Sequence, residues 1–238
     1  MYTASMLKLL LITLVCLAQD ISATSPVGRA HAQWAQRFEK IQSELTKSGN
    51  NANVLFIGDS ITQGWENAGS LVWQEKIAPL GALNFGISGD RTEHVLWRLE
   101  NSNFEGVSPD FSVVMIGTNN FGQSPPDSEL EVLDGIIAVV VKLGELFPDT
   151  TIILLDIFPR GESFNQMRGS ILQVNQILKT KYAEDEQVHF LQIGHLFTTS
   201  NGEISQLIMP DYLHLSEAGY QIWADAILPH LVEKKSNK

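Results

Sequence analysis

Short uninterrupted apolar runs alternate along this chain with longer stretches in which apolar residues recur every three or four positions. The runs are Val54–Ile57, Ala82–Phe85, Phe111–Ile116, Thr151–Leu155 and Val188–Ile193. Their length, and the glycine, proline and asparagine around them, predicts strands. Helical spacing covers His31 to Lys47, where Trp34, Phe38, Ile41 and Leu45 share a stripe. It returns over Thr92 to Leu99, with Thr92 or Asp90 near the cap, and over Asp127 to Phe147, stopped by Pro148. Two more helices are predicted over Phe164 to Tyr182, with Ile171, Val174 and Leu178 inward, and over Glu217 to Leu231. The strands are continuously apolar instead of alternating, which predicts burial on both faces. The fold class is therefore α/β, with a five-stranded parallel sheet covered by helices on both sides. In such sheets ligands bind beyond the carboxyl ends of the strands.

Length and composition fit one domain: 238 residues, 44% hydrophobic and 18% charged, with no internal repeat or linker. The formal net charge of −11 argues against nucleic acid as a partner, because neutralising phosphates requires a basic surface. The first residues have the form of an export signal: Lys8, the apolar run Leu9 to Leu17, then small residues at Ala18 and Ala23. Residues 1–23 are read as a signal peptide cleaved after Ala18 or Ala23, and 24–238 as a single domain, with an N-terminal helix in 30–52 and a catalytic core in 53–230. The expected location is secreted or periplasmic. The apolar run is too short to span a bilayer, so no integral span is expected after processing. Cys16, the only cysteine, would leave with the signal, and bulky Val15 before it disfavours a lipid anchor there. The end from Glu233 to Lys238 reads as a polar tail.

The candidate chemistry lies where the strands end. Gly58-Asp59-Ser60 follows the first run, placing a serine to attack an electrophile; the plainer reading is Ser60 as a helix N-cap. Thr62 stands where the second glycine of a G-x-S-x-G elbow belongs, which disfavours a standard α/β-hydrolase. Gly86-Ile87-Ser88-Gly89-Asp90 follows the second run and offers either an ordinary turn or a free N–H for an anion. It lacks the spacing of a dinucleotide fingerprint. Asn119 ends the third run and can donate a side-chain amide to an oxyanion, with Asn120 equally able to play turn residue or donor. Asp211-Tyr212-Leu213-His214 places an acid three residues before a histidine, where it can orient the imidazole. His31, His94 and His230 fall on helices and are expected in solvent, and His189 is expected partly buried in a strand. His195 is the rival base, without an acid three residues upstream. Trp65, Phe121, Phe164 and Met209 are candidates for an acyl pocket or for core.

In order, Gly58-Asp59-Ser60, Gly89, Gly117-Thr118-Asn119-Asn120 and Asp211-Tyr212-Leu213-His214 resemble the four blocks of the SGNH hydrolases, the GDSL esterase and lipase family. The resemblance runs from about Asn53 to about Leu228. Leu83–Ile87 with Gly89-Asp90, His94–Leu99 and Phe158–Glu162 resemble, more closely, the catalytic subunits of intracellular platelet-activating-factor acetylhydrolase. The resemblance implies a flavodoxin-like three-layer α/β/α sandwich. It implies Ser60 as nucleophile, His214 as general base then acid, and Asp211 as its orienter. It implies an oxyanion hole from the N–H groups of Ser60 and Gly89 and the Asn119 side chain, and no metal or other cofactor. Ser88 and Ile61 depart mildly from the family pattern. The export signal departs more, since the resembled enzymes are cytosolic.

The function expected is a secreted serine esterase that removes a short acyl group, acetyl above all, from a lipid or carbohydrate alcohol. The alternatives are a thioesterase or lysophospholipase-type acyl hydrolase, and a non-catalytic carbohydrate-binding relative. The resembled subunits form dimers, so the resemblance allows a homodimer, although the residues themselves do not read out the oligomeric state.

Overall fold

All five apolar runs become strands. The computed structural model describes residues 22–231, so the proposed signal up to residue 21 and the whole polar tail lie outside the described residues. In chain order the elements are α1 (Ala32–Ser48), β1 (Val54–Gly58), α2 (Ser60–Gln63), α3 (Ser70–Val72), β2 (Ala82–Gly86) and α4 (Thr92–Asn101). There follow β3 (Phe111–Met115), α5 (Thr118–Gly122), α6 (Glu129–Leu146), β4 (Thr151–Leu155), α7 (Gln166–Lys181), β5 (Val188–Leu191) and α8 (Glu217–Leu231). The sheet is wholly parallel, in the order β2-β1-β3-β4-β5. Period-2 alternation sends Leu55 and Ile57 to one face with α1, α4, α6 and α7. Val54 and Phe56 go to the other, with α2, α3 and α8. The result is a three-layer α/β/α sandwich. From β1 the chain crosses to β2 on one side and later to β3 on the other, so a crevice opens above the ends of β1 and β3.

Element ends moved by a residue or two where capping chemistry overrode periodicity. The sixth helix starts at Glu129, not Asp127, because Ser128 and Glu131 form a reciprocal capping box: Ser128 N donates to Glu131 Oε2 at 2.7 Å and Glu131 N to Ser128 Oγ at 3.3 Å. The seventh starts at Gln166, because Asn165 Oδ1 accepts the Arg168 N–H at 3.0 Å. Strand β5 stops at Leu191 because the N–H groups of Ile193 and Gly194 turn to the Asp156 carboxylate, both at 3.0 Å. As an edge strand β5 leaves His189 exposed, not partly buried.

One buried ion pair ties the working edge together. Arg98 and Asp90 are fully buried, and Arg98 Nε donates to Asp90 Oδ2 at 2.7 Å. The same guanidinium donates to the carbonyls of Phe85 (2.6 Å) and Gly58 (3.0 Å), joining the ends of β2 and β1, and lies over the Phe85 ring. Asp90 Oδ1 accepts Trp34 Nε1 from α1 at 2.7 Å. Burying two charges is costly, and removing one partner strands the other. Arg98→Met is expected to cost about 3–5 kcal/mol in urea unfolding, by leaving Asp90 buried without its cation. A loss below about 1 kcal/mol would show that the pair is not needed to hold this edge.

Candidate active site

Asp59, not Ser60, is the N-cap of α2: its Oδ1 accepts the Ile61 N–H at 2.9 Å, leaving Ser60 as the first helical residue with its hydroxyl free for other work. The turn is tight because Gly58 lies against its neighbours: a Cβ there would come 2.2 Å from Thr62 Oγ1 and 2.3 Å from the Met115 carbonyl. The absent elbow glycine is thus accounted for, since Thr62 packs over Gly58.

From the far end of the chain, the turn before α8 reaches this serine. Asp211 Oδ1 accepts the N–H groups of Leu213 (3.1 Å) and His214 (2.7 Å), and its Oδ2 meets His214 Nδ1 at 2.6 Å. Tyr212 takes the left-handed conformation, φ 59°, that this Asx turn requires, and its carbonyl is held by the Gly161 N–H at 2.8 Å. With Nδ1 donating to the carboxylate, His214 Nε2 is an acceptor, and it lies 2.9 Å from Ser60 Oγ. Burial raises the Asp211 carboxyl pKa, but the side-chain and backbone hydrogen bonds from His214 outweigh it and hold the group below its ordinary value. Ser60 is half-buried, whereas the His214 and Asp211 side chains are 45% and 55% exposed. The arrangement can pass a proton from the serine to the imidazole and hold the resulting imidazolium against a carboxylate.

Gly89 and Asn119 line one cavity at this end of the sheet. Neither the Ser60 nor the Gly89 N–H has a protein acceptor among the described residues. Gly89 has φ +75°, a conformation that favours glycine. Asn119 Nδ2 donates to the Asp90 carbonyl at 2.9 Å, which fixes the amide orientation and leaves a second N–H on that nitrogen. Asn120 is structural: it is buried, bonded through Nδ2 to Asp127 (2.8 Å) and through Oδ1 to the Thr92 N–H (3.1 Å). The structure therefore joins Ser60, His214 and Asp211 by hydrogen bonds and sets Gly89 and Asn119 on one cavity.

Other candidates separate. His94 is buried and not solvated; its Nδ1 accepts the Arg91 N–H at 3.0 Å. Burial and three nearby arginines lower its pKa to about 3, so it stays neutral. His195, the rival base, lies beyond β5 on the rim of an apolar cavity of about 550 Å³ whose lining includes Phe164 and Leu172 but neither Ser60 nor His214. Phe164 is exposed there, and Trp65, Phe121 and Met209 are core. Among the described residues no group of three or more His, Cys, Asp or Glu is placed to hold a metal ion, and no helix is long and apolar enough to cross a membrane. Sequence reasoning missed Arg160, whose Nη1 donates to the Thr118 carbonyl at 3.1 Å and whose charge acts on both Asp59 and Asp211. An arginine one residue before Gly161, which holds the Tyr212 carbonyl, was the available signal.

A family described as GDSL-like lipase/acylhydrolase matches residues 56–222. This chain belongs to that family. It is a carboxylic ester hydrolase. It is 42% identical over 167 residues, 70% of each chain, to platelet-activating factor acetylhydrolase IB subunit alpha1 of Homo sapiens. It is equally identical over 168 residues, 71% of each, to subunit alpha2 of the same enzyme from Mus musculus. The solved structure of a GDSL-like lipase from Bacteroides thetaiotaomicron shares the fold, with a TM-score of 0.67, 20% identity, and coverage of 84% of this chain and 97% of that one.

Asp59 has a further consequence for stability. It is wholly buried, its Oδ2 has no partner among the described residues, and burial above all pushes its pKa up from 3.8 to about 7. As pH rises from 3.8 toward 7, the unfolded carboxyl has lost its proton while the folded one keeps it, so stability falls across that window. Asp59→Asn keeps the capping oxygen and removes the titration. Its melting temperature relative to wild type is expected to climb between pH 4 and 8, by an equivalent of at most about 4 kcal/mol. A difference independent of pH would show that Asp59 does not titrate there.

Proposed function

We propose that this enzyme is a serine esterase that cleaves short acyl esters, acetyl above all, through Ser60, His214 and Asp211. The observation that carries the reading is the continuous hydrogen-bonded line from Ser60 Oγ through His214 to Asp211, formed across 154 residues of sequence. Ser60 Oγ attacks the ester carbonyl as His214 Nε2 takes its proton, and Asp211 stabilises the imidazolium. The oxyanion is received by the N–H groups of Ser60 and Gly89 and the free Asn119 amide hydrogen. His214 then protonates the departing alcohol, and water repeats the sequence on the acyl-enzyme.

Two features support a short acyl group. The cavity that reaches both Gly89 and Asn119 is lined mainly by polar side chains, and the apolar cavity of about 550 Å³ belongs to another part of the sheet edge. The 42% identical relatives bear the name of an acetylhydrolase. The N-terminal pattern supports export, which would place the enzyme outside the cytoplasm. Ala23 is buried, and its carbonyl accepts Thr92 Oγ1 at 2.8 Å; a cut after Ala18 keeps that contact, whereas one after Ala23 loses it.

Turnover of p-nitrophenyl acetate is expected to fall by about 10³-fold or more in Ser60→Ala, and comparably in His214→Ala. Across p-nitrophenyl esters, kcat/KM is expected to be highest for acetate and to decline with chain length. Activity surviving both substitutions would contradict the nucleophile and base assignments, and a maximum at long chains would contradict the acyl preference.

A further inference from the structure

The apolar cavity beyond β4 and β5 stands apart from the catalytic line. Its volume is about 550 Å³, and none of Ser60, Gly89, Asn119, Asp211 and His214 lines it. Sites that hold small organic ligands span roughly 300–1,000 Å³, with apolar walls and a few convergent polar groups. Here Ile157 and Pro159 from the chain after β4, and Ile171 and Leu172 from α7, supply apolar wall. Phe164 and Leu172 line the cavity and are nevertheless 75% and 60% exposed, so both belong to its mouth. Phe164 is seated there by Gly202, whose φ of +76° favours glycine and whose missing side chain makes room for the ring. Large apolar side chains gathered in water at the rim of an apolar hollow mark a surface that a ligand covers.

Most polar groups along this wall are already occupied by backbone. Asn175 takes the Ile157 N–H at 2.9 Å and donates to the Ile157 carbonyl at 3.0 Å. Arg168 donates through Nε to the Arg160 carbonyl at 3.0 Å, and through Nη1 and Nη2 to the carbonyls of Gly202 and Gly161. Asp156 is different. It lines the cavity, is only 6% exposed, and receives just two N–H groups, those of Ile193 and Gly194. An ionised carboxylate has about four acceptor positions, so capacity remains. A Cβ on Gly194 would come 2.8 Å from Asp156 Oδ2, and glycine there leaves that oxygen uncovered. Burial pushes the Asp156 carboxyl up to about 6, against the hydrogen bonds from Gly194 and Ile193, so near neutral pH the group is chiefly an acceptor. No other acidic side chain lines the cavity. A buried carboxylate at an apolar wall is complementary to a donor and repels an anion.

We infer that this cavity is a second ligand site, separate from the catalytic serine, for an amphiphile whose single apolar chain ends in a hydrogen-bond donor, a hydroxyl or an ammonium. The chain lies against Ile157 and Ile171 and covers Phe164 and Leu172, while the head donates to Asp156 Oδ2. At about 30 Å³ for each water-sized group, a chain of about ten carbons with its head fits the volume with room to spare.

The test is competition on the full chain, with N-phenyl-1-naphthylamine as the fluorescent probe and all ligands kept below micelle-forming concentrations. The probe is expected to bind saturably and to be displaced by decanol and by decylammonium, with decanoate weaker by at least about tenfold. The alcohol and ammonium arms show which donor the carboxylate prefers. Leu172→Glu puts a charge at the mouth and is expected to weaken decanol by at least about tenfold; Leu71→Glu, at an exposed leucine on α3, is expected to change nothing. Asp156→Asn keeps an oxygen for the Ile193 and Gly194 N–H groups but turns the acceptor into an amide. It is expected to reduce the preference for decylammonium over decanoate by about tenfold. Ser60→Ala is expected to bind probe and ligands as the wild type does. Absence of saturable binding, decanoate binding as well as decanol, or a folded Leu172→Glu with unchanged affinity would overturn the inference. So would displacement that is lost in Ser60→Ala, since the chain would then lie in the catalytic crevice.

Discussion

The buried pair between Arg98 and Asp90 is the constraint on which this site depends. One guanidinium closes the ends of β1 and β2 through the Gly58 and Phe85 carbonyls, immediately before Asp59-Ser60 and Gly86. Its partner carboxylate takes the Trp34 indole from α1, and the backbone carbonyl of the same Asp90 orients the Asn119 amide. The strand end that presents Ser60, the turn that presents Gly89 and the side chain of Asn119 are therefore fixed by one residue pair. Burial raises the Asp90 pKa, and the adjacent Arg98 opposes that shift, so the pair is retained at the expense of desolvation. On the proposed reading, what that expense secures is geometry, since donors aimed at a developing charge stabilise it most when they need not reorganise.

The base side is built on different terms. Asp211 and His214 are half-exposed, on a turn whose hydrogen bonds are local, joined to the rest by the Gly161 N–H and the Ser60 hydroxyl. Half-buried candidate donors, held through the buried Arg98–Asp90 pair, thus accompany a more open candidate base. On the proposed reading such a division suits turnover, because water must reach the acyl-enzyme and the imidazole must change protonation twice in each cycle. Exposure keeps that proton exchange with solvent possible, while the Asx turn holds the ring in place.

The sheet was legible because its strands are buried on both faces, which makes a run such as Val54–Ile57 visible without any partner. Three of the four candidate blocks stood out because each follows a strand end, where glycine, serine and asparagine interrupt apolar sequence, and the fourth, Asp211–His214, through its acid-to-histidine spacing in the turn before α8. Capping was the weakest point: Asp59 and Ser128 outcompeted their neighbours through hydrogen bonds that periodicity does not register. His94 was misjudged for a related reason, since its helix face turns inward against Arg91. The contacts of Arg98, Arg29 and Arg37 were out of reach, because they join residues 40 to 59 positions apart through backbone carbonyls that no side-chain pattern announces.

The central claim is that Ser60 Oγ becomes the acyl carrier. Rapid quenching of the enzyme with p-nitrophenyl acetate, followed by mass spectrometry of its peptides, tests this most directly. The account predicts one added acetyl group on the peptide containing Ser60, lost in Ser60→Ala. An acetyl group found on another residue, or turnover at full rate with Ser60 unmodified throughout, would contradict it.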